Sequence, residues 1–339
     1  MKIQPSFNDV LIVPKYSTVI SRAHVNTKVE FLGEKVFPVI SSNMDSVTGN
    51  ELSNAMSAYG AMGALHRFQS IEDNVKMFKK APRSIVSIGL GDLELERAAA
   101  LLMAGATKFL IDVAHGAHIE VVRQTKALRH LIGVNNYIIV GNFATKDSVT
   151  SFLKELGSIK IDAIKVGIGG GSACTTRVVT GCGLPTLASL LEIKELGIPM
   201  IADGGIAGPG DLAKALAAGA TTVMIGRLLA STNESLGEIV ENYLNSDFNK
   251  IRTKRYKGSA SKESYQIQSK QSKHRTPEGE SFLVQLTGPA ANTLEQLEAG
   301  LRSAMSYVSA HTIEQFRENA QLVRVSINGY KEGTAHGKS

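Results

Sequence analysis

Residues 165–185 read KVGIGGGSACTTRVVTGCGLP, an apolar lead-in followed by glycines around Ser172, Cys174, Thr175, Thr176 and Arg177. Such glycine density fits neither ordinary strand nor ordinary helix. It lets a backbone approach a ligand or an ion closely and turns amides or carbonyls inward. Two folds compete for the segment. As a dinucleotide fingerprint, Gly167-Ile168-Gly169-Gly170-Gly171 would belong to an open, doubly wound sheet, but a fingerprint of that kind usually opens its domain. The apolar runs around it place it after a sixth strand.

Working outward, short β-branched or apolar runs bounded by glycine and polar residues occur at 38–42, 63–67, 84–90 and 108–114, then at 136–142, 163–169, 199–205 and 222–228. Their starts recur every 21 to 36 residues, the length of a β-loop-α-loop unit. Helical patterns lie between them at 50–59, 93–104, 119–132, 186–196 and 210–218, several ending at glycine. Strands apolar on both faces and alternating with helices indicate a parallel sheet. Eight such units indicate a (β/α)8 TIM barrel, α/β in class, as one domain over residues 1–339.

Composition agrees with a folded chain: 339 residues, 43% hydrophobic, 20% charged and only nine prolines. A formal charge of +6 slightly favours anionic ligands. The basic residues are dispersed and form no recognised nucleic-acid module. No stretch approaches the roughly 20 apolar residues of a membrane helix, and the opening MKIQPSFNDV lacks a secretory pattern, so the expectation is a cytoplasmic protein without a membrane partner. Two cysteines are too few for a disulfide framework; Cys182, between glycines, reads as structural.

In a barrel of this kind the chemistry lies where the strands end. Strand one leads into Ser42-Asn43-Met44-Asp45, strand two into His66-Arg67, strand four into Asp112-Val113-Ala114 and strand five into Gly141-Asn142. Cys174, held in a glycine loop beside hydroxyls and Arg177, is the candidate nucleophile. Strand seven closes in Asp203-Gly204-Gly205 and strand eight in Gly226-Arg227. Bare amides after these two strands form the fold's usual phosphate site, and Asp203 beside them suits ribose hydroxyls. The ligand expected is a phosphorylated, nucleotide-like molecule.

After strand eight, residues 245–281 are rich in Lys, Ser and Gln and read as a mobile excursion; the flap spans about 245–285. An amphipathic helix over 292–310 would then be the eighth barrel helix, displaced by this insertion. Nothing after Val325 reads as structured.

The run Gly169-Gly170-Gly171-Ser172-Ala173-Cys174-Thr175-Thr176-Arg177 resembles the cysteine loop of the inosinate dehydrogenase and guanylate reductase family, usually Gly-Pro-Gly-Ser-x-Cys-Thr-Thr-Arg. FNDVLIVP, SSNMDSV, LIDVAHG, VGNFAT, ADGGI with GDLAKALAAGA, VMIGRLLA and YKGSASKE extend the resemblance over nearly the whole chain. It implies the same barrel, with Cys174 attacking purine C2 to form a covalent adduct and Thr176 as proton-transfer partner. Ser172, Asp203, Gly204, Gly205 and Gly226 would hold ribose and phosphate, and Arg227, which departs from the family pattern, would add a phosphate contact through its side chain or crowd the site. Tyr256, Gly258, Ser259 and Ala260 would lie against phosphate and base. Asp112, Val113, Ala114, Gly169 and Gly170 would meet a nicotinamide cofactor. A K+ ion would sit on the carbonyls of Gly169, Gly171 and Cys174, with Arg177 counted in that site, and the assembly would be a homotetramer.

Dehydrogenases of the family carry an Arg-Tyr pair within a flap segment reading roughly Asp-Arg-Tyr-Phe-Gln, which is absent here. The corresponding SKHRTPEGESF resembles the reductase pattern Arg-x-x-Glu-Gly, with Arg275, Glu278 and Gly279, and implies that Glu278 delivers a proton to a departing amine. Asn43-Met44-Asp45, His66-Arg67-Phe68 and the lack of a regulatory insertion between strands two and three point the same way. The expectation is a reductase acting on GMP with NADPH. A compact NAD-dependent dehydrogenase acting on IMP, favoured by the tail VRVSINGYKEGTAHG, and a silent nucleotide binder are the alternatives. Departures from the family pattern are Gly170 for proline, Arg227 for Gly or Ser, and Ser259 for methionine.

Overall fold

The computed structural model describes residues 3–244, 249–263 and 276–333. Eight parallel strands close into a barrel: β1 Val39–Ser41, β2 Met62–Leu65, β3 Ile85–Ile88, β4 Lys108–Asp112, β5 Tyr137–Phe143, β6 Ala163–Val166, β7 Met200–Asp203 and β8 Thr222–Ile225. Each pairs with its sequence neighbours, and β8 closes on β1 through Val223↔Val39 and Ile225↔Ser41. All eight expected runs are strands, so the open sheet is excluded. Seven of the runs extend past the observed strands at their C-terminal ends, because apolar composition continues after the chain has left the sheet to form the rim; β5 instead runs on to Phe143.

β1, β2, β3, β6 and β8 are buried at every position. Their two faces meet side chains inside the barrel and the helices outside, which is why the runs read as continuous rather than alternating. The helical patterns expected at 50–59 and 119–132 match Asn50–Tyr59 and Ile119–Ile132, and the displaced helix is Ala290–Tyr307. Between β2 and β3 lies the helix Ile71–Lys80, whose N-cap Ser70 accepts from the Asp73 amide at 3.0 Å. Below the barrel, a hairpin of Val29–Phe31 and Glu34–Val36 carries Glu34 to the buried Lys108 and to Arg83.

Two expectations need correction. Described residues beyond Val325 are structured, since Ser326 caps the helix Ile327–Glu332; just before them, Leu322–Arg324 pairs antiparallel with Val10–Ile12. The partner strand lies at the other end of the sequence, where no local pattern points to it. The described parts of the flap are likewise not a loose excursion. Strands β9 Ile239–Leu244, β10 Asn249–Lys257 and β11 Ser281–Gln285 form an antiparallel sheet. Lys254 anchors β10 by donating to the carbonyls of Asn233 and Ser235 at 2.8 and 2.6 Å, and Lys257 pairs with Asp45 at 2.9 Å.

Candidate active site

A cleft of about 700 Å³ opens at the C-terminal ends of the strands. Its wall over β6 is the glycine loop, and this loop does contain regular structure, contrary to expectation: it starts on β6 and holds one helical turn, Thr176–Thr180. Gly204 shows why the neighbouring turn excludes a side chain. Its φ of +90° is left-handed, and a Cβ there would stand 2.6 Å from the Gly170 carbonyl carbon and 2.7 Å from the Gly171 amide nitrogen. A Cβ on Gly170 would stand 2.6 Å from Thr186 Oγ1, which accounts for glycine at that position.

Cys174 and Thr176 line the cleft, and their Sγ and Oγ1 atoms lie 3.1 Å apart. Thr176 Oγ1 donates to Glu278 Oε2 at 2.8 Å. With its own proton committed to the carboxylate, the hydroxyl accepts from the thiol, giving a continuous proton path from Sγ to Glu278. The backbone brings the glutamate there. Thr175 N donates to Glu278 O at 2.9 Å, Glu280 N to Ala173 O at 2.9 Å, and Glu278 N to Ala260 O at 3.0 Å. Gly279 makes the bridging pairs with Cys174 and Ser261 and stands behind the cleft wall rather than in it.

Ser172, Gly204, Gly205, Gly226 and Arg227 also line the cleft, together with Tyr256, Gly258, Ser259 and Ala260. A Cβ on Gly226 would lie 2.8 Å from Tyr256 Oη and 3.0 Å from Ser42 Oγ, so glycine here leaves both hydroxyls room to approach a ligand. Ser42 Oγ is buried without a partner. Burial holds the Tyr256 phenol far above its ordinary range, so it is a neutral donor. The exposed Arg227 guanidinium lies 5.7 Å over the Phe282 ring and adds positive charge here. Bare amides, hydroxyl donors and a cation suit a phosphate. Arg275 lies outside the described residues.

The cleft floor was only partly foreseen. Asp112 and Asp203 were expected there, but not the residue between them. Lys165 on β6 donates to Asp112 Oδ1 at 2.8 Å and to Asp203 Oδ2 at 2.6 Å. Asn43 Nδ2 donates to Asp112 and Asn142 Nδ2 to Asp203, each at 2.8 Å. Burial opposes the charge on Asp112, but Lys165, Asn43 and Arg67 outweigh it and hold the carboxyl below its ordinary range. Burial likewise pushes the Lys165 ammonium down, and the two carboxylates prevail and keep it protonated. The signal for Lys165 was a lone lysine in an apolar strand, since a buried charge needs partners.

Beyond Asp112, Val113 and Ala114, the cleft runs between Arg67, Phe68, Leu90 and Leu93. The Arg67 guanidinium lies 4.9 Å over the Phe68 ring, and its buried Nε has no partner. This arm, with Gly169 and Gly170 on its border, fits an elongated ligand that carries both apolar and anionic parts. Arg177 is not part of the cleft wall: its guanidinium donates to the carbonyls of Ile168 and Leu184. Its guanidinium is a donor there, and its own carbonyl accepts from the Gly181 amide. Cys182 is exposed at the edge of the same loop, so it is not a packing residue.

Comparison with known proteins agrees with this geometry. A family model described as IMP dehydrogenase / GMP reductase domain matches residues 4–336. An inosine-5'-monophosphate dehydrogenase of Cryptosporidium parvum is 30% identical over 98% of this chain and 94% of its own length. A GMP reductase of Vibrio vulnificus is 33% identical over 96% of this chain and 95% of its own. Of the inosine-5'-monophosphate dehydrogenase of Rhizobium tropici, 40% identical over 75% of this chain, the match spans only 51%. The fold is shared with a crystal structure of GMP reductase from Trypanosoma brucei in complex with guanosine 5'-monophosphate, at a TM-score of 0.89 and 24% identity, covering 100% of this chain and 99% of that one. The chain belongs to the IMP dehydrogenase / GMP reductase family, a family of oxidoreductases.

Proposed function

We propose that the chain is an NADPH-dependent GMP reductase, converting GMP to IMP and ammonia through a covalent adduct of Cys174 with purine C2. The observation that carries this reading is the Cys174–Thr176–Glu278 chain. Cys174 Sγ attacks C2, and its proton passes through Thr176 Oγ1 to Glu278. Glu278 then returns a proton to the 2-amino group, which departs as ammonia when the C2–N bond breaks. NADPH, when bound, supplies the hydride that reaches C2. The C–S bond then breaks, the electron pair returns to sulfur, and IMP leaves.

Asp203 would receive the ribose hydroxyls, and Ser172, Gly205, Gly226, Arg227 and Tyr256 the phosphate. Asp112 and the arm beside Arg67 would hold the dinucleotide. A K+ ion on the carbonyls of Gly169, Gly171 and Cys174 and a cytoplasmic homotetramer complete the proposal. Gly171 O already accepts from the Cys174 amide at 3.0 Å and retains a lone pair for a cation.

Absorbance at 340 nm, with GMP plus NADPH in one mixture and IMP plus NAD+ in another, tests the reading. Cofactor oxidation in the first mixture alone is expected. Reduction in the second alone would replace it with the dehydrogenase, the reaction named for several relatives.

A further inference from the structure

The cleft floor has a near mirror symmetry that the chemistry at Cys174 does not use. Asp112 ends β4 and Asp203 ends β7, and each takes one asparagine amide, from Asn43 and from Asn142. The Lys165 ammonium lies between them with its side chain only 5% exposed. Two carboxylates, 20 and 23% exposed, and one ammonium leave these three groups a net charge of minus one at the cleft floor. Removing one member of such a network leaves uncompensated charge behind, which costs far more than the pair contributes. Without the ammonium, two like charges would face each other, which disfavours holding both carboxylates in place. The state of each carboxylate therefore depends on the other through a single nitrogen. Asn142 Nδ2 also donates to the Gly167 carbonyl at 2.6 Å, so the support of Asp203 reaches the root of the cysteine loop.

We propose that Lys165 is a positioning residue that joins the nucleotide half of the cleft to the dinucleotide half, holding Asp203 and Asp112 oriented together. This rests on the assignment of Asp203 to the nucleotide ribose and of Asp112 to the dinucleotide. Lys165 is then needed by both ligands although the two are bound by different loops.

Calorimetric titration of GMP and of NADP+, each alone, into four proteins tests it. Against the wild type, Lys165→Met weakens both ligands at least tenfold, while intact-mass analysis still shows Cys174 labelled by saturating 6-chloropurine ribonucleotide. Asp112→Asn combined with Lys165→Met removes the facing charge and recovers GMP affinity at least threefold over Lys165→Met, without recovering NADP+. Asp203→Asn combined with Lys165→Met recovers NADP+ and not GMP. Recovery of one ligand by a substitution in the other half is not an effect of lost packing. Weakening of one ligand only, or double variants no better than Lys165→Met, would overturn the proposal. If Lys165→Met alone does not fold, the double variants decide: each must bind only the ligand of its remaining carboxylate, and equal binding of both ligands overturns it. A wild type that binds IMP and NAD+ in place of GMP and NADP+ refutes the reductase and moves the same titrations to those ligands. A wild type that binds no purine nucleotide removes both proposals.

Discussion

On the rim of the cleft, Cys174, Thr176 and Glu278 are joined through a hydroxyl, and the threonine and the glutamate are 102 residues apart in the chain. On the floor, the half-buried Asp112 and Asp203 and the buried Lys165 form ion pairs and are mounted on strands of one closed sheet. In the proposed function the rim moves protons, and its members stay together because main-chain pairing docks residues 278–280 on the cysteine loop. The floor moves nothing and holds charge. Strands fix positions more rigidly than loops, so the groups that must not move lie on strands and those that exchange protons lie on the rim.

Substitutions that separate these duties give the largest effects. Cys174→Ala should reduce turnover at least about 10⁴-fold, while GMP affinity by calorimetry stays near wild type, because it removes the nucleophile and no binding group. A large loss of affinity would show that the rim also binds. Glu278→Gln should slow ammonia formation by about 10²- to 10³-fold, measured in single turnover, with little change in GMP affinity. Unchanged ammonia formation would remove Glu278 from the proton path.

The next effect belongs to the barrel itself. Burial lowers the pKa of His66, directly after β2, to about 4. The unfolded chain takes up this proton below about pH 6.5, and the folded one only near pH 4, so acid favours unfolding across that window. Stability from urea unfolding should fall by up to about 3 kcal/mol between those values through this group, and His66→Gln should flatten the decline. Smallest is Ser70→Ala, which removes a cap remote from both regions. It should cost about 1 kcal/mol of stability and leave kcat/KM unchanged.

The barrel was legible because strands buried on both faces leave unbroken apolar runs, and because glycines end several of the helices. The glycines of the proposed phosphate site were legible for a related reason: Gly204, Gly205 and Gly226 occupy positions where the backbone needs room. Lys165 was not, since a single lysine in Ala163–Val166 shows that a partner is needed without showing which one. Glu278 entered only through the resemblance, because the pairing that carries it to Thr176 joins distant segments through amides and carbonyls that every residue has. The pairing of Val10–Ile12 with Leu322–Arg324 escaped for the same reason.

That main-chain attachment has a consequence for how such a site changes over evolutionary time. Because amides and carbonyls hold residues 278–280 against residues 173–175, the docking does not depend on the side chain at position 278. A mutation there alters which group faces Thr176 while the scaffold stays in place. If the proposed cysteine adduct forms, one barrel can thus explore different fates for it through single substitutions, without passing through an unfolded ancestor.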